Sequence, residues 1–197
     1  MPAIDRRITA VDIIPDAVFA GERKARRAAL LAAKRLRRIA LGPYCTLYFE
    51  SFETMLFQVQ EMLLIEKGGP AQLADELAAY NPMIPQGAEL TATAMFEIDD
   101  PARRERVLGA LGGVEDHFYV EAGGERSVAT QEGDVERTRA DGKTSSVHFL
   151  HFPLSATQVA AFRQTGARIV VGCDDPRYAH MAALSDETRA ELAKDLA

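Results

Sequence analysis

Residues 54–66 read TMLFQVQEMLLIE, and the fold turns on how this stretch is placed. Its apolar positions suit a helix, and at about 100° per residue the polar side chains fall among them on every side. Gln60 lies between Leu56 and Leu64, Glu61 between Phe57 and Ile65, Gln58 between Ile65 and Met62, and Glu66 between Met55 and Val59. No polar face remains. A helix that is apolar all round is normally buried, and a buried carboxylate without a partner costs on the order of several kcal/mol. Glu61 or Glu66, with one or both glutamines, is therefore expected to meet a specific partner or a ligand.

Outward from this helix the chain alternates helices and strands without a regular βαβ rhythm. Upstream, a helix is expected over 22–40, stopped by Gly42-Pro43, then a strand over 44–51 (YCTLYFES). Thr9 and Asp12 have the spacing of a helix start, with Pro15 in the turn that follows. Downstream, Gly68-Gly69-Pro70 breaks the chain before a helix over 71–80, and the prolines of Asn81-Pro82-Met83-Ile84-Pro85 call for extended backbone. Then come a strand over 88–98, a helix over 100–111, a hairpin about Gly123-Gly124, and a charged, turn-rich loop over 132–143. A strand over 144–152, a helix over 155–164, a strand over 168–173, the loop 174–180 and a final helix from Ser185 complete the pattern. The expected class is α+β, with a mixed or mainly antiparallel sheet packed by helices.

At 197 residues and 47% hydrophobic, residues 1–197 are expected to form one domain, with a basic helical segment 1–42 packing on 43–197. The charge balance supports that arrangement. Residues 1–42 carry ten Lys/Arg against four Asp/Glu, while the remainder is strongly acidic and brings the total to −6. An acidic chain argues against a general nucleic-acid binder. The N-terminus lacks an apolar signal core and no apolar run reaches the length of a membrane span, so a cytoplasmic protein off the membrane is expected. Cys45 and Cys173 are far apart, form no C-x-x-C, and read as reduced packing residues.

Two groups of residues could carry chemistry. On the 22–40 helix the Lys and Arg side chains occupy one half of the wheel and the alanines the other. The alanine face allows close packing, and the basic face serves as a solvated surface, as a partner for the acidic remainder of the chain or a sister subunit, or as a site for phosphate or nucleic acid. His148 shares a strand face with Thr144, Ser146, Leu150 and Phe152, so hydroxyls could orient it as an acid or base; the alternative is a structural histidine. Glu61 with His148, supported by Gln58 or Glu66, is the sharpest chemical hypothesis, as a base or a metal-dependent site. Against it stands a buried network in which Glu61 or Glu66 pairs with Arg37 or Arg38 and the glutamines satisfy loop backbone groups.

The segments KRLRRIALGP (34–43), FQVQEMLLIE (57–66), AYNPMIP (79–85) and KTSSVHFLHF (143–152) together resemble an uncharacterised family of bacterial proteins of about this size, over nearly the whole chain. The positions matching its motifs are Lys34, Arg37, Arg38, Gln58, Gln60, Glu61, Glu66, Tyr80, Asn81, Pro82, Pro85, Lys143, Thr144, Ser145 and His148. Leu64 departs from the family pattern, where a basic residue is expected, and so does Asp174-Asp175-Pro176, where a histidine before the proline is usual. The second departure weakens any metal role for His180. The resemblance implies a cytoplasmic protein often encoded beside rubrerythrin-like proteins and iron–sulfur oxidoreductases, and hence an accessory or ligand-binding partner of a redox or stress system. It implies no established activity, and the cofactor stays open. A homodimer is allowed by charge complementarity.

Overall fold

A computed structural model describes residues 6–131 and 143–197. Helix α1 (Asp16–Leu36) leads into the hairpin β1 (Arg38–Leu41) and β2 (Cys45–Phe49), followed by α2 (Phe52–Glu66), α3 (Gly69–Tyr80), β3 (Glu89–Phe96) and α4 (Pro101–Ala110). The hairpin β4 (Phe118–Ala122) and β5 (Glu125–Val128) comes next, then β6 (Thr130–Gln131), β7 (Val147–Pro153), α5 (Ala156–Arg163), β8 (Val170–Cys173), β9 (His180–Ala183) and α6 (Asp186–Leu192). The strands make two antiparallel sheets, ordered β1-β2-β3-β7-β6 and β5-β4-β8-β9. The expected α+β class holds.

Register decides which side chains share a face, because strand side chains alternate. Leu47 lies opposite Ala94 and Ala94 opposite His148, while Leu90 faces Phe152 and Ala92 faces Leu150. This side of the first sheet is buried against Phe118, Val120 and Val171 of the second sheet, with Phe162 from α5 and Leu192 from α6. Phe149, one residue on from His148, turns to the opposite side. There α2 lays Met55, Val59 and Leu63 against Ile8, Met83 and Ile84, with Phe149 packed beside them. Burying Val59 completely is worth about 1.5–3 kcal/mol. A capping box starts α2: Ser51 Oγ accepts from the Thr54 N–H and Thr54 Oγ1 accepts from the Ser51 N–H, an arrangement worth about 1 kcal/mol.

Several expectations need correction. The basic helix stops at Leu36 rather than continuing to residue 40, and Arg38–Leu41 is a strand with alternating burial, Ile39 and Leu41 inward. Its composition favours helix, but pairing with β2 and the period-two pattern prevail. The alanine half of α1 is not the packing face: Ala25, Ala28, Ala29 and Ala32 are exposed, and the helix leans on α2 through Phe19, whose ring meets Phe57 edge-on at 5.6 Å, and through Arg23. Helix α2 is not buried all round, since Ile65 is 62% exposed. The segment Asn81–Met83 is a 3-10 turn, and Ile84 beyond it is extended. Strand β9 takes up His180–Ala183, where the sequence reading ends a loop at His180 and places no strand before the helix from Ser185. The charged stretch 132–142 lies outside the described residues.

Candidate functional site

A cavity of about 570 Å³ opens between the end of α1, the start of α2 and the C-terminal turn. Leu30, Ala33, Phe52, Ile84 and Pro85 supply apolar wall, and Arg6, Arg37, Ser51, Glu53, Thr54, Glu191, Lys194 and Asp195 supply polar groups. Arg37 reaches it because α1 ends there, with the Arg37 N–H still donating to the Ala33 carbonyl. Glu191 lies on α6 and Asp195 in the 3-10 turn after it. That turn is held by the Ala197 N–H, which donates to the Gly87 carbonyl at 2.8 Å. Gly87 needs to be glycine at this point: its φ is +95° and an added Cβ would come within 2.9 Å of the Ala197 Cβ.

Arg37 is 4% exposed, and all five of its N–H groups are committed. Nε donates to Glu191 Oε1 at 3.0 Å, Nη1 to Asp195 Oδ2 at 2.6 Å and to the Glu50 carbonyl at 3.0 Å, and Nη2 to Asp195 Oδ1 at 3.2 Å and the Glu191 carbonyl at 3.4 Å. Burial alone would lower its pKa, but the two carboxylates outweigh burial and raise it. The carboxylates respond differently. Burial pushes Asp195 up despite Arg37, with Glu53 and Glu191 adding repulsion, whereas Glu191 overcomes its own burial and is lowered because Lys194 gives it a second cation. Glu50, just behind the wall, accepts from the Thr54 and Thr93 hydroxyls at 2.7 and 2.9 Å and is raised by burial. The buried guanidinium therefore bonds two carboxylates, those of Glu191 and Asp195, and the backbone carbonyl of Glu50.

The structure scatters the other candidates. Arg38 points outward, over the Tyr48 ring and 3.3 Å from Glu97. Glu61 takes a two-pronged contact from Arg23, at 2.7 and 2.5 Å, which lowers its pKa. Gln60 accepts from the Ile14 N–H and donates to the Ile14 carbonyl, and Asn81 clamps Ile8 in the same two-way fashion. Gln58 is half-buried on α2, Glu66 is exposed and accepts from Gln72, and Tyr80 packs on the α2 cluster. Lys143 is half-buried. Thr144, Ser145 and His148 do come together: His148 is fully buried, Nε2 lies 2.9 Å from the Ser145 carbonyl and 3.3 Å from Thr144 Oγ1, and Nδ1 is 3.9 Å from Glu115. His148 and Glu61 do not meet. One points into the core between the sheets, the other sits on the helix covering the opposite face of the first sheet, and that sheet separates them.

Glu50, Glu115, Glu191 and Asp195 escaped the sequence reading. Only Glu50 had a local signal, its position between a strand and the Ser51 cap. Among the described residues, no group of three His, Cys, Asp or Glu side chains is arranged to hold a metal ion, and no helix is long and apolar enough to cross a membrane. Cys45 and Cys173 are buried free thiols, and burial raises both, Cys173 to about 11.

Residues 7–196 match the family model described as a protein of unknown function, DUF3501. The chain belongs to the DUF3501 family. It is also similar to a protein of unknown function from Burkholderia pseudomallei K96243, known from a crystal structure. The two share 33% identity at a TM-score of 0.88, over 96% of this chain and 99% of that one. Among curated proteins none matches. In this DUF3501 chain the cavity of about 570 Å³ is lined by Arg37, inside the KRLRR run, and not by residues of the His148 strand.

Proposed function

We propose that this protein binds a small molecule in the cavity beside Arg37, as an accessory or carrier-type binding protein. The observation that carries the reading is the cavity itself. It has room for a ligand of several non-hydrogen atoms, apolar walls to desolvate it, and a few fixed polar groups to orient it, the usual composition of a ligand site. Arg37 acts there as a positioning residue that holds Glu191 and Asp195 in place. The geometry adds nothing to the redox or stress association implied by the resemblance, and ligand binding alone is proposed.

The test is a fragment set matched in size and spanning positive, neutral and negative charge, read by methyl NMR shifts at Leu30 and Ile84. The same set is run on Ala33→Phe, which fills the cavity from a half-buried position on α1. Shifts in the wild type that vanish in a folded Ala33→Phe support the reading. Shifts that persist in the filled variant, or no shifts with any fragment, overturn it.

A further inference from the structure

A second pocket, of about 360 Å³, shares Arg6 with the cavity at Arg37 and otherwise has a lining of its own. Its polar groups are Arg6, Arg7, Asn81 and Gln86. Its apolar wall is Leu77 and Ala78, from the last turn of α3, with Pro82 from the 3-10 turn that follows. Among the described residues, two guanidiniums and no carboxylate line it. Asp75 and Glu76 of α3 fall outside the lining, Glu76 accepting from Gln72, and the Asp195 carboxylate is turned to Arg37. The C-terminal end of α3 adds a partial negative charge of about one half, which leaves the pocket strongly positive.

The two arginines are fixed in place with donors to spare. Extended backbone sends successive side chains to opposite sides, yet Arg6 and Arg7 line one pocket. Arg6 breaks the alternation with a φ of +39°, a conformation uncommon outside glycine. The segment is anchored on both sides of Arg7. Gln86 Nε2 donates to the Arg6 carbonyl at 3.0 Å, while Asn81 accepts from the Ile8 N–H at 2.7 Å and donates to the Ile8 carbonyl at 3.0 Å. Arg6 spends only Nη1, on the carbonyls of Pro85 and Asp195, which leaves Nε and Nη2. Exposed Arg7 makes no hydrogen bond or ion pair among the described residues, so its whole fork of donors is open.

We propose that this pocket takes the phosphate group of a small monoester, with the guanidinium forks of Arg6 and Arg7 on the phosphate oxygens and the stem on Leu77, Ala78 and Pro82. Charge selects phosphate over carboxylate. Two uncompensated cations match a group that carries about −1.5 to −2 at neutral pH and presents several acceptor oxygens to planar donor forks. The site goes beyond the ligand site at Arg37 and stands or falls separately from it.

The probes are n-propyl phosphate, butyrate and n-butanol, titrated against the full chain at neutral pH and low salt and followed by NMR at the Leu77 methyls. Propyl phosphate binds tighter than butyrate by roughly tenfold, the increment of an added charge-assisted contact, and butanol binds weakest. Arg7→Gln, at an exposed position with no partner to lose, weakens propyl phosphate by roughly tenfold. Arg7→Lys keeps the charge but loses the fork and falls between that variant and wild type. Lys24→Gln, which removes the same charge from the exposed face of α1, leaves the affinity unchanged. Butyrate binding as tightly as propyl phosphate overturns the phosphate assignment. Lys24→Gln weakening propyl phosphate as much as Arg7→Gln shows a diffuse attraction to the basic N-terminal region and overturns the site. Leu77 methyls that stay unmoved by propyl phosphate overturn it as well.

Discussion

Replacing Arg37 by alanine removes the one cation enclosed with Glu50, Glu191 and Asp195, and five hydrogen bonds go with it. The pair to Glu191 is almost wholly buried, with side-chain exposures of 5% and 8%, and the pair to Asp195 nearly so, at 5% and 11%. Deleting one partner of such a pair leaves uncompensated charge in the interior and costs roughly 3–5 kcal/mol. At about 2–4 °C per kcal/mol for a chain of this size, the melting temperature falls by roughly 6–20 °C. The cost depends on pH with a definite sign. Arg37 and Lys194 hold Glu191 below its ordinary value, so its contribution is present above the unfolded pKa and is lost as pH falls through the folded one. Asp195, already raised, costs stability when ionised and is relieved by acid. Without Arg37 the Asp195 pKa rises further and the Glu191 pKa rises from its lowered position, so acid relieves the variant more than the wild type, and the gap between them narrows from neutral pH toward the carboxylate range. Urea unfolding of both proteins at neutral pH and near pH 4.5 reads this directly. A neutral-pH cost below about 1 kcal/mol, the size of a surface pair, or a gap that stays constant with pH, refutes the reasoning.

Glu50→Gln removes a partly buried charge that accepts from the Thr54 and Thr93 hydroxyls; because the Glu50 pKa is raised, the wild type loses stability as pH climbs through that pKa, and the variant is expected to be the more stable of the two at neutral pH and to lose the advantage in acid, as thermal melts at both pH values will show. Gln60→Leu strands the Ile14 N–H and carbonyl and costs roughly 1–3 kcal/mol, with hydrogen exchange at Ile14 accelerating ahead of that at Val59. Glu61→Gln breaks a contact whose Arg23 side is 43% exposed, so the melting temperature stays within about 2 °C of wild type and fragment binding at the cavity is unchanged; lost binding would restore Glu61 to the site.

The reading of TMLFQVQEMLLIE held where it relied on local physics. A helix with no polar face requires partners for its polar residues, and Gln60 and Glu61 have them in Ile14 and Arg23. The partners themselves could not be read, because they depend on which side of α1 faces α2, and that is set by Phe19 seating against Phe57 rather than by the alanine stripe. Arg37 and Arg38 read as neighbours on one basic helix. At the helix-to-strand switch they part, Arg37 into the interior and Arg38 to the surface. The acids that complete the cavity lie 154 and 158 residues further along the chain, in a helix and turn with nothing local to mark them. His148 shows the same limit in reverse. Its strand phase was legible, but the side of the sheet that α2 would cover was not, and that decided whether Glu61 could reach it.

A crystal structure of the protein soaked with the fragment set that spans positive, neutral and negative charge tests the claim that the cavity is a ligand site most directly. The account predicts density for a bound fragment inside the cavity, its apolar part against Phe52 and Ile84. A well-ordered cavity that stays empty of every fragment while the same soaks fill sites elsewhere on the surface would contradict it.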